Sequence, residues 1–403
     1  MPRSDPYRVW VEPDHANIPS NRFTVNHHKP VVSRREPAAE AHNTPQRGDG
    51  PREENPRDVP RSASADSILH RCRPLVEAEI ERVLPDPDRS ALYGIIRYHL
   101  GLADARGRPA RAAAGKGVRG ALCLLACEAS GGPAEKAAPA AAAVELLHSF
   151  TLLHDDIADR DEVRRGRLAA WRVWGVGRAI TAGDALYALA NLALGRLEQV
   201  GVPPPQVTSA LASLNRATLA ICEGQEQDLS QEGSGDVAIE AYLDMISKKT
   251  AALFATAAGL GASVAGADAP VVAGLEDFGR DLGTAFQVRD DLLGIWGQAD
   301  EIGKPVGSDL RRNKRSLPIV LALSSPPEVA GPIAARLAAG IKTDHEAAEV
   351  AAAIESTGAR ERCEQLARDM LDRALGRLSR LPLRPGPAAD LRTLASYLVG
   401  RTQ

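Results

Sequence analysis

The chain has 403 residues, a formal net charge of −3, 44% hydrophobic residues and only 4% aromatic ones. The near-balanced charge argues against nucleic acid or an acidic membrane surface as partner, and a composition led by Ala and Leu favours helices over strands. Five scattered cysteines, an odd number, argue against a disulfide framework and for a reducing cytosol. The N-terminus lacks an apolar signal core and no apolar run reaches spanning length, so a cytoplasmic protein without a transmembrane segment is expected.

Residues 1–66 hold ten of the 28 prolines and show no apolar periodicity. Such a stretch cannot bury enough apolar surface to offset its ordering entropy, and a disordered arm is expected. Tyr7, Trp10, Ile18, Phe23 and Val25 are spaced through its first third, ahead of His27-His28-Lys29-Pro30. Spaced aromatics of this kind suit a docking segment that orders on a partner; the alternative is a solvated tail. The pattern turns helical near Ser67, a candidate cap ahead of Ile68, Leu69, Leu75, Val76, Ile80 and Val83. Helices are expected at about 90–101, 115–130, 137–159, 167–175, 178–200, 206–229, 237–264, 269–297, 315–325, 330–340, 345–357, 359–380 and 387–400. Gly- and Pro-rich breakers separate many of these runs, and no segment alternates as a strand would. Residues 67–403 therefore read as one all-α domain. Cys123 and Cys127 stand four apart in an apolar run and read as small core residues rather than half a metal site.

The segments 137–159 and 269–297 are nearly apolar all round until their acidic ends, as suits central helices. The first ends in Asp155-Asp156-Ile157-Ala158-Asp159, followed by Arg164-Arg165-Gly166. Asp155 and Asp159 project from one helix face about one turn apart and repel unless a cation sits between them. Magnesium suits that place, because it is readily shared between carboxylates and phosphate oxygens. The two arginines supply planar forks for phosphate. The second acidic site reads Phe286-Gln287-Val288-Arg289-Asp290-Asp291-Leu292-Leu293-Gly294. Basic residues arrive from elsewhere: Gly115-Lys116-Gly117-Val118-Arg119, Lys248-Lys249-Thr250, Gly303-Lys304 and Lys314-Arg315. Singly, each cluster reads as a cap, a solvated face or a snorkelling lysine. Together they point to one cavity binding magnesium and diphosphate.

In these motifs (GKxxR, HDDxxD with RRG, KT, and FQxxDD with GKxxGxDL, in that order) the chain from about 67 to 400 resembles the trans-isoprenyl diphosphate synthases, or polyprenyl synthetases. The resemblance implies the isoprenoid synthase fold, antiparallel helices around a deep central cavity, usually as a homodimer. It implies head-to-tail condensation of isopentenyl diphosphate with an allylic diphosphate, using several magnesium ions, about three per active site. By that resemblance Asp155, Asp159 and Asp290 bind magnesium, with Asp156 and Asp291 at the metal site through water or neighbouring contacts. Arg164, Lys249 and Lys304 match residues that grip the allylic diphosphate. Lys116, Arg119, His148 and Arg165 match the isopentenyl diphosphate site. Thr250 and Gln287 match polar groups that steady the allylic cation, and Gln225, Asp228, Asp184, Asp309 and Lys314 fall in supporting positions. Gly294 stands where the family usually has a third aspartate, so a weakened metal site is expected there.

Product length is expected to depend on Phe150 and Thr151, five and four residues before Asp155. At ~1.5 Å per residue they lie about 6 to 7.5 Å below the metals. A single aromatic at the fifth position resembles enzymes making fifteen- or twenty-carbon products, and twenty carbons, geranylgeranyl diphosphate, is the expectation over farnesyl diphosphate. The stretches around Trp296 and Lys314-Arg315-Ser316-Leu317-Pro318 further resemble an actinobacterial subgroup whose members are cargo of family 2 encapsulin shells. That resemblance implies that residues 1–66 load the enzyme into such a compartment. Two rival activities stand beside the synthase. A class I terpene cyclase needs no isopentenyl diphosphate site and typically carries a second motif of the Asn/Ser/Glu type. A non-catalytic partner subunit would not need the retained carboxylates.

Overall fold

The computed structural model describes residues 64–110, 115–231, 237–297 and 307–400. Most of the N-terminal arm and Lys304 lie outside them. The all-α expectation holds. The main helices are α1 (Ala65–Val83), α2 (Ala91–Leu100), α3 (Val118–Ala129), α4 (Ala134–Ala158), α5 (Ala170–Trp174), α6 (Val176–Gly195), α7 (Pro204–Gln231), α8 (Ile239–Ile246), α9 (Ala252–Ala265) and α10 (Ala269–Trp296). They continue as α11 (Ser308–Arg311), α12 (Leu317–Leu323), α13 (Pro327–Ala339), α14 (Asp344–Ser356), α15 (Ala359–Arg380) and α16 (Pro385–Val399). Among the described residues no helix is long and apolar enough to cross a membrane.

The core forms where α4 packs on α3 and α6, and α9 on α3 and α10. Phe254, Phe278, Leu122, Leu124, Leu146 and Leu147 are fully buried there, each burial contributing about 1.5 to 3 kcal/mol. Cys123 and Cys127 are buried in the same cluster, as small core residues should be.

The local structure departs from the sequence expectations in three places. Ser64, not Ser67, caps α1, its side chain accepting from the Ser67 backbone N–H at 3.2 Å. A two-stranded hairpin, Val163–Arg164 paired with Arg167–Leu168, occupies part of the run expected to be helical. Gly175, with φ 87°, separates α5 from α6 where a break between 167–175 and 178–200 is expected. The helix expected over 237–264 is interrupted by a π-turn, Ser247–Ala251, between α8 and α9. Its i→i+5 bonding inserts an extra residue and turns Lys249 and Thr250 toward the cavity. The turn bulges into α7, where a Cβ on Gly224 would lie 2.4 Å from the Lys249 backbone nitrogen. Only glycine at 224 permits that approach.

Candidate active site

The C-terminal ends of α4 and α10 line a cavity of about 1420 Å³. A helix C-terminus carries the negative end of the dipole, so carboxylates there are unfavourable unless cations answer them. On α4, Asp156 is buried and its Oδ1 accepts from Arg164 Nε at 2.7 Å. Its Oδ2 is buried without a hydrogen-bond partner. Burial pushes the Asp156 carboxyl up to about 6, against the pull of Arg164. Asp161, also buried, forms an ion pair with Arg164 at 3.6 Å and a closer one with Arg312. The hairpin sets this up: Arg165 and Gly166 form its two-residue turn with φ 52° and 73°, the twist that two-residue hairpins need. Asp155 lines the cavity, its carboxyl raised by burial against the pull of Lys249. Asp159 faces Lys314 at 3.8 Å. Burial alone would lower the Lys314 ammonium, but Asp159, Asp228, Asp309 and Asp155 together hold it above the ordinary lysine range.

The α10 wall is built differently. Asp290 lines the cavity, while the buried Asp291 is held from both sides. Gln287 Nε2 donates to its Oδ1 at 3.0 Å; the Leu317 backbone N–H donates to its Oδ2 at 3.1 Å, and the Tyr242 hydroxyl donates there too. Burial raises the Asp291 carboxyl to about 7, although these donors pull it down. Thr250 Oγ1 donates to Gln287 Oε1 at 2.7 Å, and Lys249 Nζ lies 2.5 Å from Asp228. A Cβ on Gly294 would lie 2.3 Å from Asp309 Oδ2. Asp309 from α11 therefore presents its carboxylate in the space that a side chain at 294 would enter.

The cationic group lies on the third side. Arg119 sits 4.6 Å above the Phe254 ring and bonds His148 Nε2 at 3.1 Å. A guanidinium can only donate, so Nε2 accepts and the imidazole is neutral with its proton on Nδ1. Burial, reinforced by Arg119, Arg165 and Arg164, keeps His148 well below the usual histidine range. Lys116 Nζ lies 3.2 Å from the Tyr397 hydroxyl, and Glu145 Oε1 accepts from the Gly120 N–H at 2.7 Å. Arg165 also lines the cavity, its guanidinium lowered by burial.

The structure thus brings Lys116, Arg119, His148, Phe150, Thr151, Asp155, Asp159, Arg164, Arg165, Lys249, Thr250, Gln287, Asp290, Asp291 and Lys314 to one cavity. Asp156 lies behind it, and Asp184, 67% exposed, stands away from it. Lys304 lies outside the described residues. Sequence reasoning missed Tyr242, Asp161, Arg312, Glu145 and Tyr397. The phenol of Tyr242 in an apolar helix was the one usable signal, since a buried hydroxyl needs a partner. Among the described residues no three His, Cys, Asp or Glu side chains converge into a metal cage. Hard carboxylate oxygens of Asp155, Asp159 and Asp290, on two walls of the cavity, fit magnesium completed by substrate phosphates.

Helices enclosing a cavity with carboxylates on two helix ends and cations between them define a diphosphate-handling enzyme. Residues 108–356 match the polyprenyl synthetase family, and the chain belongs to it. It is 38% identical over 357 residues to a (2E,6E)-farnesyl diphosphate synthase of Mycobacterium tuberculosis, covering 85% of this chain and 97% of that one. It is 46% identical over 264 residues to a geranylgeranyl diphosphate synthase of the same organism, covering 66% and 73%. A polyprenyl synthetase from Streptomyces coelicolor superposes with a TM-score of 0.76 at 39% identity, over 83% of this chain and 99% of that one. The chain is a prenyl diphosphate synthase by family, a head-to-tail prenyltransferase.

Proposed function

We propose that this enzyme extends dimethylallyl, geranyl or farnesyl diphosphate with isopentenyl diphosphate and stops at geranylgeranyl diphosphate, releasing pyrophosphate. The observation that carries the reading is a cationic group, Lys116, Arg119 and Arg165, lining the same cavity as the two carboxylate walls. A cyclase acting on one diphosphate has no use for it. Asp155, Asp159 and Asp290 would hold magnesium, with Asp156 supporting them from behind, while Asp291, whose two oxygens are taken by Gln287, Tyr242 and the Leu317 N–H, fixes the wall beside them. When bound, magnesium neutralises charge on the departing diphosphate. Lys249, Lys314 and Arg164 orient the allylic diphosphate, and Lys116, Arg119, His148 and Arg165 hold isopentenyl diphosphate beside it. Thr250 and Gln287 steady the allylic cation as its C–O bond breaks. The new carbon–carbon bond forms, and the departing pyrophosphate takes the proton lost from the isopentenyl unit.

Phe150 and Thr151 support a short product. Phe150 lines the cavity, packing edge-on to His154 at 4.8 Å and lying 5.9 Å from Tyr187. Farnesyl diphosphate is the alternative product. A turnover assay with magnesium and labelled isopentenyl diphosphate, each primer offered separately, tests the reading. Twenty-carbon product is expected, lengthening in Phe150→Ala and lost in Asp155→Ala. Cyclised hydrocarbon, or no extension from any primer, would refute it.

A homodimer in the cytoplasm is part of the same proposal. Leu192 on α6 and Leu219 on α7 are 64% and 66% exposed, apolar surface that a second copy would cover. A monomeric mass in solution would refute it. Loading into an encapsulin shell through residues 1–66 rests on the resemblance alone, and unchanged co-purification with a shell protein after deleting the arm would end it.

A further inference from the structure

Tyr242, Asp291, Gln287 and Thr250 form one hydrogen-bonded chain across α8, α10 and the π-turn. Every proton in it points toward Asp291. A carboxylate can only accept, so the end of Gln287 that meets Asp291 Oδ1 must be its NH2 group. Gln287 Oε1 then faces Thr250 and accepts its hydroxyl proton at 2.7 Å. With that proton engaged, the oxygen lone pairs of Thr250 are what it offers to the cavity, which Thr250 and Gln287 both line. The carboxylate is itself held in place: the Tyr242 hydroxyl and the Leu317 backbone N–H both donate to Oδ2. Tyr242 and Asp291 are buried.

We infer that Tyr242 and Asp291 are positioning residues that fix the polarity of this chain, so that Thr250 presents lone pairs, not a proton, to the developing allylic cation. The inference rests on the prenyl-transfer reading above. A positive centre beside an oxygen lone pair is stabilised, and beside an O–H proton it is destabilised, so the direction of one hydroxyl matters to the transition state. Chains of hydrogen bonds polarise one another, which makes the anionic end the natural place to set the direction.

Asp291→Asn is the decisive variant, because it exchanges one oxygen for NH2 without changing shape. Two donors already face Oδ2, so the new amide must keep its oxygen there and turn its NH2 to Gln287. Gln287 then flips, and its NH2 donates to Thr250, whose proton swings into the cavity. The expected result at pH 8 is a fall of about a hundredfold in kcat. KM for both diphosphates and the magnesium concentration for half-maximal rate should stay within twofold. Tyr242→Phe, which loosens the chain without reversing it, should cost about tenfold in kcat with the same constancy. Adding Thr250→Val to Asp291→Asn should cost less than a further twofold, because the chain then has nothing to orient.

Losses that multiply in the double variant would overturn the inference. So would a magnesium requirement or KM that rises in step with the fall in kcat, or both single variants retaining kcat within twofold. Should Tyr242→Phe fail to fold, Asp291→Asn decides alone, with its melting temperature recorded. Absence of prenyl transfer by the wild-type enzyme would instead sink the reading beneath it.

Discussion

The two acidic walls carry similar residue pairs and treat them oppositely. On α4 the inner carboxylate, Asp156, is answered by a full positive charge, Arg164, and keeps one buried oxygen without a partner. On α10 the inner carboxylate, Asp291, is answered by three donors that carry no charge, and both its oxygens are engaged. The outer carboxylates, Asp155 and Asp290, line the cavity in both walls. The difference shows that a repeated Asp-Asp motif divides its labour. In each pair one aspartate lines the cavity, and the other is pinned by whatever its own helix finds nearby.

The largest test of that division sets neighbours against each other. Asp155→Ala should lower kcat/KM by about a thousandfold or more while leaving stability nearly unchanged, because it removes charge from the cavity side. Asp156→Ala should do the reverse in kind, costing about 3 kcal/mol of stability by taking from Arg164, only 22% exposed, its nearest carboxylate. Urea unfolding checks it. In an Arg164→Met background the same change should cost far less, since no guanidinium then loses a partner. Equal stability losses for Asp155→Ala and Asp156→Ala would erase the distinction between outer and inner residues.

A smaller effect sharpens the second wall. Gly294 and Asp309 compete for one volume, so a side chain at 294 must displace the Asp309 carboxylate. Gly294→Asp alone should raise the magnesium requirement by about tenfold, a loss near 1.4 kcal/mol, by forcing two carboxylates together. Gly294→Asp with Asp309→Gly moves the carboxylate from α11 to α10 and should recover most of the loss. Magnesium-dependent thermal stabilisation by a non-hydrolysable diphosphate analogue gives a readout independent of turnover. A double variant no better than the single one would mean that Asp309 does not share the role.

Much of this was legible before any coordinates. Asp155, Asp159 and Asp290 announce themselves because paired carboxylates ending apolar helices have few other uses. The long helices followed from their apolar faces. What was not legible depends on contacts distant in sequence. The π-turn at Ser247–Ala251 leaves no mark in composition, since its bulge is permitted by Gly224 on another helix. Asp161 carries no signal of its own in the sequence, since its partner Arg312 lies 151 residues away. At Gly294 a sequence records the missing side chain, but not that the Asp309 carboxylate stands in the same space.

The smallest effect distinguishes the walls by pH, without divalent cations. Burial raises both inner carboxyls above the ordinary aspartate value near 3.8, Asp156 to about 6 and Asp291 to about 7. A group whose folded pKa is raised binds more protons folded than unfolded between the two values. Its contribution is therefore fully present below pH 3.8 and is lost as pH rises through the folded value. Wild type compared with Asp156→Asn should thus lose on the order of 1 kcal/mol of relative stability as pH rises from 4 to 6. Compared with Asp291→Asn, the decline should continue toward pH 7. Guanidinium unfolding in a chelator, repeated across that range, gives both curves, and their difference cancels every other titrating group. A relative stability that rose with pH for Asp156 would mean that Arg164 outweighs burial in the first wall. The two walls would then differ in the sign of their pH dependence and not only in its range.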